Sequence, residues 1–187
     1  MTNELLTKVY DFAAKAHEGQ TRKYAYEDYI RHPERVMHTC AQFTSDHRLL
    51  ASALLHDVLE DTEVSEAELG NFLQMVMDQS DAKQTLQYVK ELTDVYIKKD
   101  YPNWNRRTRK ARELERLTGI SANAQTVKYA DIIDNSADVA ENDKNFAAVL
   151  LKEYQQILRN LTKGNPTLLS RAHEAIIDAR KRLKSQI

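Results

Sequence analysis

One cysteine, three prolines and four glycines are all that 187 residues hold of those types. A lone cysteine, Cys40, excludes an intramolecular disulfide and a thiolate metal cluster. It reads as a small apolar residue inside the helix that follows Pro33. With so few glycines and prolines the chain has little punctuation, which suits helices joined by short connections. Sustained strand-like alternation is missing as well. Val95-Tyr96-Ile97 is the best short candidate, and three residues do not make a strand. There is no internal repeat and no low-complexity segment. No apolar run approaches the roughly 18 residues of a membrane span; residues 49–55 come nearest and end at His56. Residues 1–10 lack a signal-peptide core, so a cytoplasmic location is expected. Neither sign of charge dominates. Lys and Arg total 27 against 28 Asp and Glu, a formal net charge of -1. That balance speaks against duplex nucleic acid as a partner and leaves room for a local basic pocket and a small phosphorylated ligand.

What is present points to an all-α fold, a single helical domain over residues 1–187. A chain of this length buries roughly 70% of its unfolded surface and needs no staple. Leu5, Val9, Phe12, Ala13 and Ala16 fall on one helical face that stops near Gly19. Pro33 sits where a first helical position belongs, opening a helix to about residue 43. Asp46 can cap the next, residues 49–59, apolar on nearly all sides and therefore central. Ser65 with Glu68 reads as a capping box. Helices over 85–95, 104–117, 124–139 and 146–161 follow, and Asn165-Pro166 starts the last, 167–184. Residues 19–31 form a polar, basic, tyrosine-rich loop, the kind of long loop that carries function.

The chemistry concentrates in Leu54-Leu55-His56-Asp57-Val58-Leu59-Glu60-Asp61-Thr62. Four ionisable side chains directly after an apolar stretch are unfavourable unless something compensates them. On a helix His56 and Asp57 stand about 100° apart and can lean toward one ion. Glu60 lies four residues from His56 and Asp61 four from Asp57, which puts all four on one face. An imidazole beside a carboxylate suits a divalent transition metal. Two further positions can complete its shell: His32, just before Pro33, and Asp131, in the apolar segment Val127-Lys128-Tyr129-Ala130-Asp131-Ile132-Ile133-Asp134-Asn135. Asp131 and Asn135 share a face. Two His and two Asp would neutralise a divalent ion and leave positions for water, whose pKa such an ion lowers toward neutrality. His17, His38, His47 and His173 match no ligand position and read as structural or surface residues. Trp104 and the nine tyrosines read as core and rim, and residues 106–116 as an exposed face with opposite-charge pairs.

His32, then His56-Asp57, then Asp131 on a helical chain resembles the pattern that names the HD superfamily. The chain is more similar still to the hydrolase domain of the RelA/SpoT family and to the small stand-alone alarmone hydrolases, among them the metazoan SpoT homologue. The resembling segments are His17-Glu18-Gly19-Gln20-Thr21-Arg22-Lys23, Tyr29-Ile30-Arg31-His32-Pro33, residues 53–62 and residues 127–135. The resemblance implies an HD-type helical bundle with a central metal site. It also implies Mn²⁺-assisted removal of the 3′ pyrophosphate from (p)ppGpp, the alarmone of the stringent response, giving GDP or GTP plus pyrophosphate. By the same resemblance His32, His56, Asp57 and Asp131 are the metal ligands, and Glu60 and Asp61 the acidic pair that activates water. Arg22 and Lys23 form the basic loop beside the nucleotide, and Asn135 reaches the ribose. Arg109-Lys110 fall where the family often has another basic pair.

The alternatives are an HD phosphatase of another nucleotide or phosphorylated cofactor, and a non-catalytic nucleotide sensor. The intact Glu60-Asp61 pair speaks against the sensor. Three features depart from the family pattern: Ser136-Ala137 replace an apolar residue and an arginine, the loop from Lys23 to His32 is one residue longer, and Asp134 replaces an aromatic or His. All three are expected where base or phosphate is read, with none touching a metal ligand. With the chain ending at Ile187, the synthetase domain of the long family members is not expected.

Overall fold

The structure, a computed structural model, describes residues 2–22, 27–142 and 144–185. Its helices are α1 (Thr2–Ala16), α2 (Arg31–Ala41), α3 (His47–Leu55), α4 (Val58–Asp61), α5 (Glu66–Val76), α6 (Gln79–Leu92), α7 (Arg106–Leu117), α8 (Ala122–Asn142), α9 (Lys144–Asn160) and α10 (Pro166–Ser185). The all-α expectation holds: among the described residues the one β pairing is an isolated bridge between Thr21 and Asp28. None of these helices is long and apolar enough to cross a membrane.

Two apolar clusters make the core, and α3 belongs to both. Leu49, Leu50 and Ala53 pack with α2, α8, α9 and α10, and Ala51, Leu54 and Leu55 with α1, α5 and α6. A helix apolar on all sides has to be enclosed; every residue from 49 to 55 is buried. The C-terminal end of α3 therefore lies in the middle of the molecule, and the chain arrives there carrying His56 and Asp57.

Local chemistry sets the boundaries. The Asp46 side chain caps α3 by accepting from the Arg48 N–H, the Ser65–Glu68 capping box opens α5, and Asn165 accepts from the Leu168 N–H at the start of α10. Several boundaries differ from the sequence reading, three of them for local reasons. Helix α2 begins at Arg31, so His32 lies inside its first turn. Pro33 is tolerated there because a first-turn N–H has no intrahelical partner. The helix expected over 49–59 breaks after Leu55 and resumes at Val58, because Asp57 adopts φ -98°, ψ -6°. Helix α6 starts at Gln79, where Asp78 accepts from the N–H groups of Ser80 and Asp81; its polar first turns conceal the apolar period.

The α9–α10 connection is locked onto α8. The Tyr129 hydroxyl donates to the Leu161 carbonyl at 2.8 Å, and the Asn165 N–H to Thr126 Oγ1 at 2.9 Å. Gly164 lies so close that a Cβ there would stand 2.5 Å from Tyr129 Cε2 and 2.9 Å from the Thr126 backbone nitrogen. Backbone cannot swing aside as a flexible side chain does. Gly164→Ala is therefore expected to destabilise the protein by about 1–3 kcal/mol, read as a lower urea midpoint at unchanged slope.

Candidate metal centre and active site

Three elements deliver four side chains to one point. His32 comes from the first turn of α2, His56 and Asp57 from the break between α3 and α4, and Asp131 from the middle of α8. The donor atoms of His32, His56 and Asp57 lie within 4.8 Å of one another. His32 Nε2 is 3.5 Å from Asp57 Oδ2 and 3.3 Å from Asp131 Oδ1; for His56 Nε2 the distances are 3.1 and 3.8 Å. Each ring is fixed from behind: His32 Nδ1 donates to Asp134 Oδ2 at 2.7 Å, His56 Nδ1 to the Ala53 carbonyl at 2.8 Å. With Nδ1 occupied, both imidazoles present Nε2 to the centre.

Both rings and Asp131 are buried, and His56 Nε2 has no hydrogen-bond partner. A buried ring nitrogen without a partner, facing two carboxylates, fits a divalent cation. Without the ion, burial works to neutralise all four groups, but their mutual attraction wins. The imidazoles are held above their ordinary value and the carboxylates below theirs, Asp131 helped by Lys128. A dication entering here displaces imidazolium protons and keeps the charge balanced.

Around this quartet the remaining lone pairs are taken. Lys128 Nζ donates to Asp131 Oδ2 at 2.9 Å, and the Asn135 amide donates to Asp131 Oδ1. The Tyr29 hydroxyl lies 2.8 Å from Asp57 Oδ2 and 2.9 Å from Asp61 Oδ2, sharing one proton between them. Glu60 Oε2 accepts from the Asp94 N–H at 3.0 Å. Glu60 is exposed by area yet sits in a concave wall. The protein around it, with like charge from Asp94 and Asp57, pushes it up to about 7. Burial and Asp57 raise Asp61 too. One site thus holds carboxylates kept ionised beside one, Glu60, able to carry a proton near neutrality, the division that acid–base chemistry uses.

The site opens into a cavity of about 240 Å³, lined by His32, Asp57 and Asp131 of the centre, by Glu60, Asp61 and Asn135, and by the cations Arg22, Lys110 and Lys128, with Leu114, Leu150 and Ile157 on its apolar side. Each cation is already paired: Arg22 with Asp138 at 2.6 Å, Lys110 with Asp94 at 2.6 Å, Lys128 with Asp131. The Arg22 guanidinium also donates to Asn135 Oδ1 at 2.8 Å and lies 5.7 Å from the Tyr29 ring centre.

The structure thus brings together His32, His56, Asp57, Asp131, Glu60, Asp61, Arg22 and Asn135. Lys23 lies outside the described residues. The Arg109-Lys110 pair separates: Lys110 lines the cavity, whereas Arg109 donates to the Trp104 carbonyl. Two expectations about the departures fail. Asp134 does touch a member of the quartet, since it holds His32 Nδ1. Ser136 is fully buried and Ala137 exposed, and neither lines the cavity. Helical spacing explains this: 131, 134, 135 and 138 share a face, from which 136 and 137 turn away. Sequence reasoning missed Tyr29, Lys128, Asp134 and Asp138. The i+3, i+4, i+7 spacing from Asp131 could have found Asp134 and Asp138; nothing local marks the others.

A model of the HD domain family matches residues 10–163. A curated relative from Mycoplasma pneumoniae, named probable guanosine-3′,5′-bis(diphosphate) 3′-pyrophosphohydrolase, is 28% identical over 172 residues, covering 82% of this chain and 21% of the relative. The Escherichia coli K12 bifunctional (p)ppGpp synthase/hydrolase SpoT is 49% identical over 57 residues, 30% of this chain and 8% of that protein. The chain therefore spans about a fifth or less of the length of these relatives. Among solved structures, one described as a metazoan ortholog of SpoT that hydrolyzes ppGpp superposes with a TM-score of 0.78 at 23% identity, covering 93% of this chain and 94% of the other. At that identity it establishes a shared fold.

The raised Glu60 carboxyl has a consequence for stability. Below its ordinary value of 4.5 it is protonated whether the chain is folded or not. Between 4.5 and about 7 the unfolded chain releases that proton while the folded chain keeps it, so rising pH favours unfolding across that window. In metal-free protein Glu60→Gln should therefore raise the melting temperature little at pH 4.5 and progressively more toward pH 7, levelling off above. A pH-independent difference between the two proteins would contradict this.

Proposed function

We propose that this chain, which belongs to the HD domain family, is a metal-dependent phosphohydrolase of (p)ppGpp. It would remove the 3′ pyrophosphate with one water to leave GDP or GTP, as a cytoplasmic enzyme in which residues 1–187 make up one domain. The observation that carries the reading is the quartet of His32, His56 and Asp131, all buried, with the half-buried Asp57. Its unpartnered His56 Nε2 faces the carboxylates, and its cavity also holds Glu60 and Asp61. The names of the curated relatives support the substrate.

His32, His56, Asp57 and Asp131 would hold one divalent ion, and all-nitrogen-and-oxygen donors favour Mn²⁺ over a thiolate-type zinc site. When bound, such an ion polarises a phosphoryl oxygen and acidifies water. The other steps belong to side chains. Glu60, poised near neutrality, takes a proton from the attacking water and returns one to the leaving oxygen. Asp61, tied by the Tyr29 hydroxyl, orients that water. Arg22, with Lys23 beside it in the chain, and Lys110 from the facing wall offset phosphate charge. Asn135, lining the cavity between Asp131 and Arg22, is assigned to the ribose. An intact Glu60-Asp61 pair disfavours a sensor that binds without turnover.

The test is to incubate the purified protein and Mn²⁺ with ppGpp, its adenine counterpart and simple monophosphates, and to identify products by mass. ppGpp should yield GDP and pyrophosphate. Glu60→Gln and Asp61→Asn should each lower kcat by about 10²–10⁴-fold, with metal content by elemental analysis unchanged. A preference for monophosphates would overturn the alarmone substrate, and full turnover in rigorously metal-free protein would overturn the metal dependence.

A further inference from the structure

We infer that Asp134 is a positioning residue for the metal centre, backing His32 with a carboxylate so that this imidazole binds the ion more strongly. The inference rests on the metal reading above. The two imidazoles of the quartet are supported differently. His56 Nδ1 meets a neutral group, the Ala53 carbonyl, at 2.8 Å. His32 Nδ1 meets a charged one, Asp134 Oδ2, at 2.7 Å.

Asp134 is itself held in place. Arg35 grips it with a fork, Nε to Oδ1 at 2.6 Å and Nη2 to Oδ2 at 3.1 Å, and the third guanidinium nitrogen lies 2.8 Å from Glu27. Such a planar pair fixes orientation as well as distance. His32 and Arg35 lie three residues apart on α2, and Asp131 and Asp134 three apart on α8, so one turn of each helix faces one turn of the other. Helix α8 thus provides Asp131 to the centre directly and acts on a second member, His32, through Asp134.

A carboxylate behind a ring nitrogen does two things that a carbonyl does less well. It fixes the N–H on Nδ1 against rotation and tautomer exchange, and it pushes electron density toward Nε2, raising its donor strength. Removing such an outer partner typically lowers metal affinity roughly 10- to 100-fold. The effect should be specific to the charge, because an amide at the same place can still accept a hydrogen bond.

The test is calorimetric titration of metal-free protein with Mn²⁺, comparing wild type, Asp134→Asn and Arg35→Met. Asp134→Asn should bind Mn²⁺ roughly 10- to 100-fold more weakly, and turnover lost at low Mn²⁺ should recover as Mn²⁺ is raised. Arg35→Met leaves Asp134 on His32, so it should lower the melting temperature but weaken Mn²⁺ binding less. Should Asp134→Asn fail to fold, Asp134→Ser takes its place with the same expected loss. Wild-type affinity in the Asp134 variant overturns the inference, and so does an equal loss in both variants, which would make Asp134 only a tie between α2 and α8. A wild-type protein that takes up no Mn²⁺ instead overturns the metal reading itself.

Discussion

Two imidazoles facing two carboxylates inside an apolar bundle form the constraint on which the rest of this molecule depends. Ionisable groups are not buried without partners, because their desolvation is worth several kcal/mol each. Here the compensation is almost complete. Asp131 accepts from Lys128 and Asn135, Asp57 from Tyr29, and each imidazole donates from Nδ1 to a fixed oxygen. The atom left over is His56 Nε2, at the point where the four side chains meet. A network satisfied everywhere except at its centre is organised around something that the centre is to receive.

That requirement shapes the backbone. Helix α3 must be apolar on every side to pass through the core, yet at its end it must present polar groups. The chain resolves this with a turn: Leu55 is the last residue of α3, His56 turns back to the Ala53 carbonyl, and Asp57, at φ -98°, ψ -6°, leads into α4. About 100° apart around the chain, the two side chains lean together, so that His56 Nε2 and Asp57 Oδ2 lie 3.1 Å apart. Environment then divides the acids that follow. Asp57, beside the imidazoles, is held ionised, whereas Glu60, three residues on and beside Asp94, is pushed toward neutrality. The same chemical group acquires two different properties within one turn.

Much of this was legible in the sequence, for reasons of range. Caps and capping boxes are local, so Asp46, Ser65 with Glu68, and Asn165 could be read where they stand. The apolar character of residues 49–55 sufficed to make that helix central. Residue type and order also marked His32, His56, Asp57 and Asp131 as a set, because only a shared partner makes such groups tolerable beside apolar runs. The break at His56-Asp57 was not legible, since it depends on what the side chains meet across the molecule. Tyr29 stood in a resembling segment, yet its role was not legible: a tyrosine in a polar loop looks the same whether it faces solvent or bridges two carboxylates. Asp134 was misjudged because its position was weighed against a family pattern and not against the helical spacing that aims it at α2.

That spacing unifies the polar side of the core. Asp131, Asp134 and Asp138 follow one face of α8, and each has a cation from a different place: Lys128 from α8 itself, Arg35 from α2, Arg22 from the loop after α1. The stripe therefore binds two separate pieces of chain, α2 and the loop after α1, to one helix, while Ser136 and Ala137 are turned away from it and from the cavity. Binding by a paired stripe has a further consequence. An anion entering the cavity meets Arg22 already committed to Asp138 and Lys110 to Asp94, so it gains each contact only by exchange. A single phosphate gains little from one such exchange, because the carboxylate it displaces loses its partner. A ligand with several phosphates can engage Arg22, Lys110 and the centre together, and its gain grows with each contact. On the proposed function, this arrangement would suit a ligand with several phosphates better than one with a single phosphate, although the walls carry no surplus of positive charge.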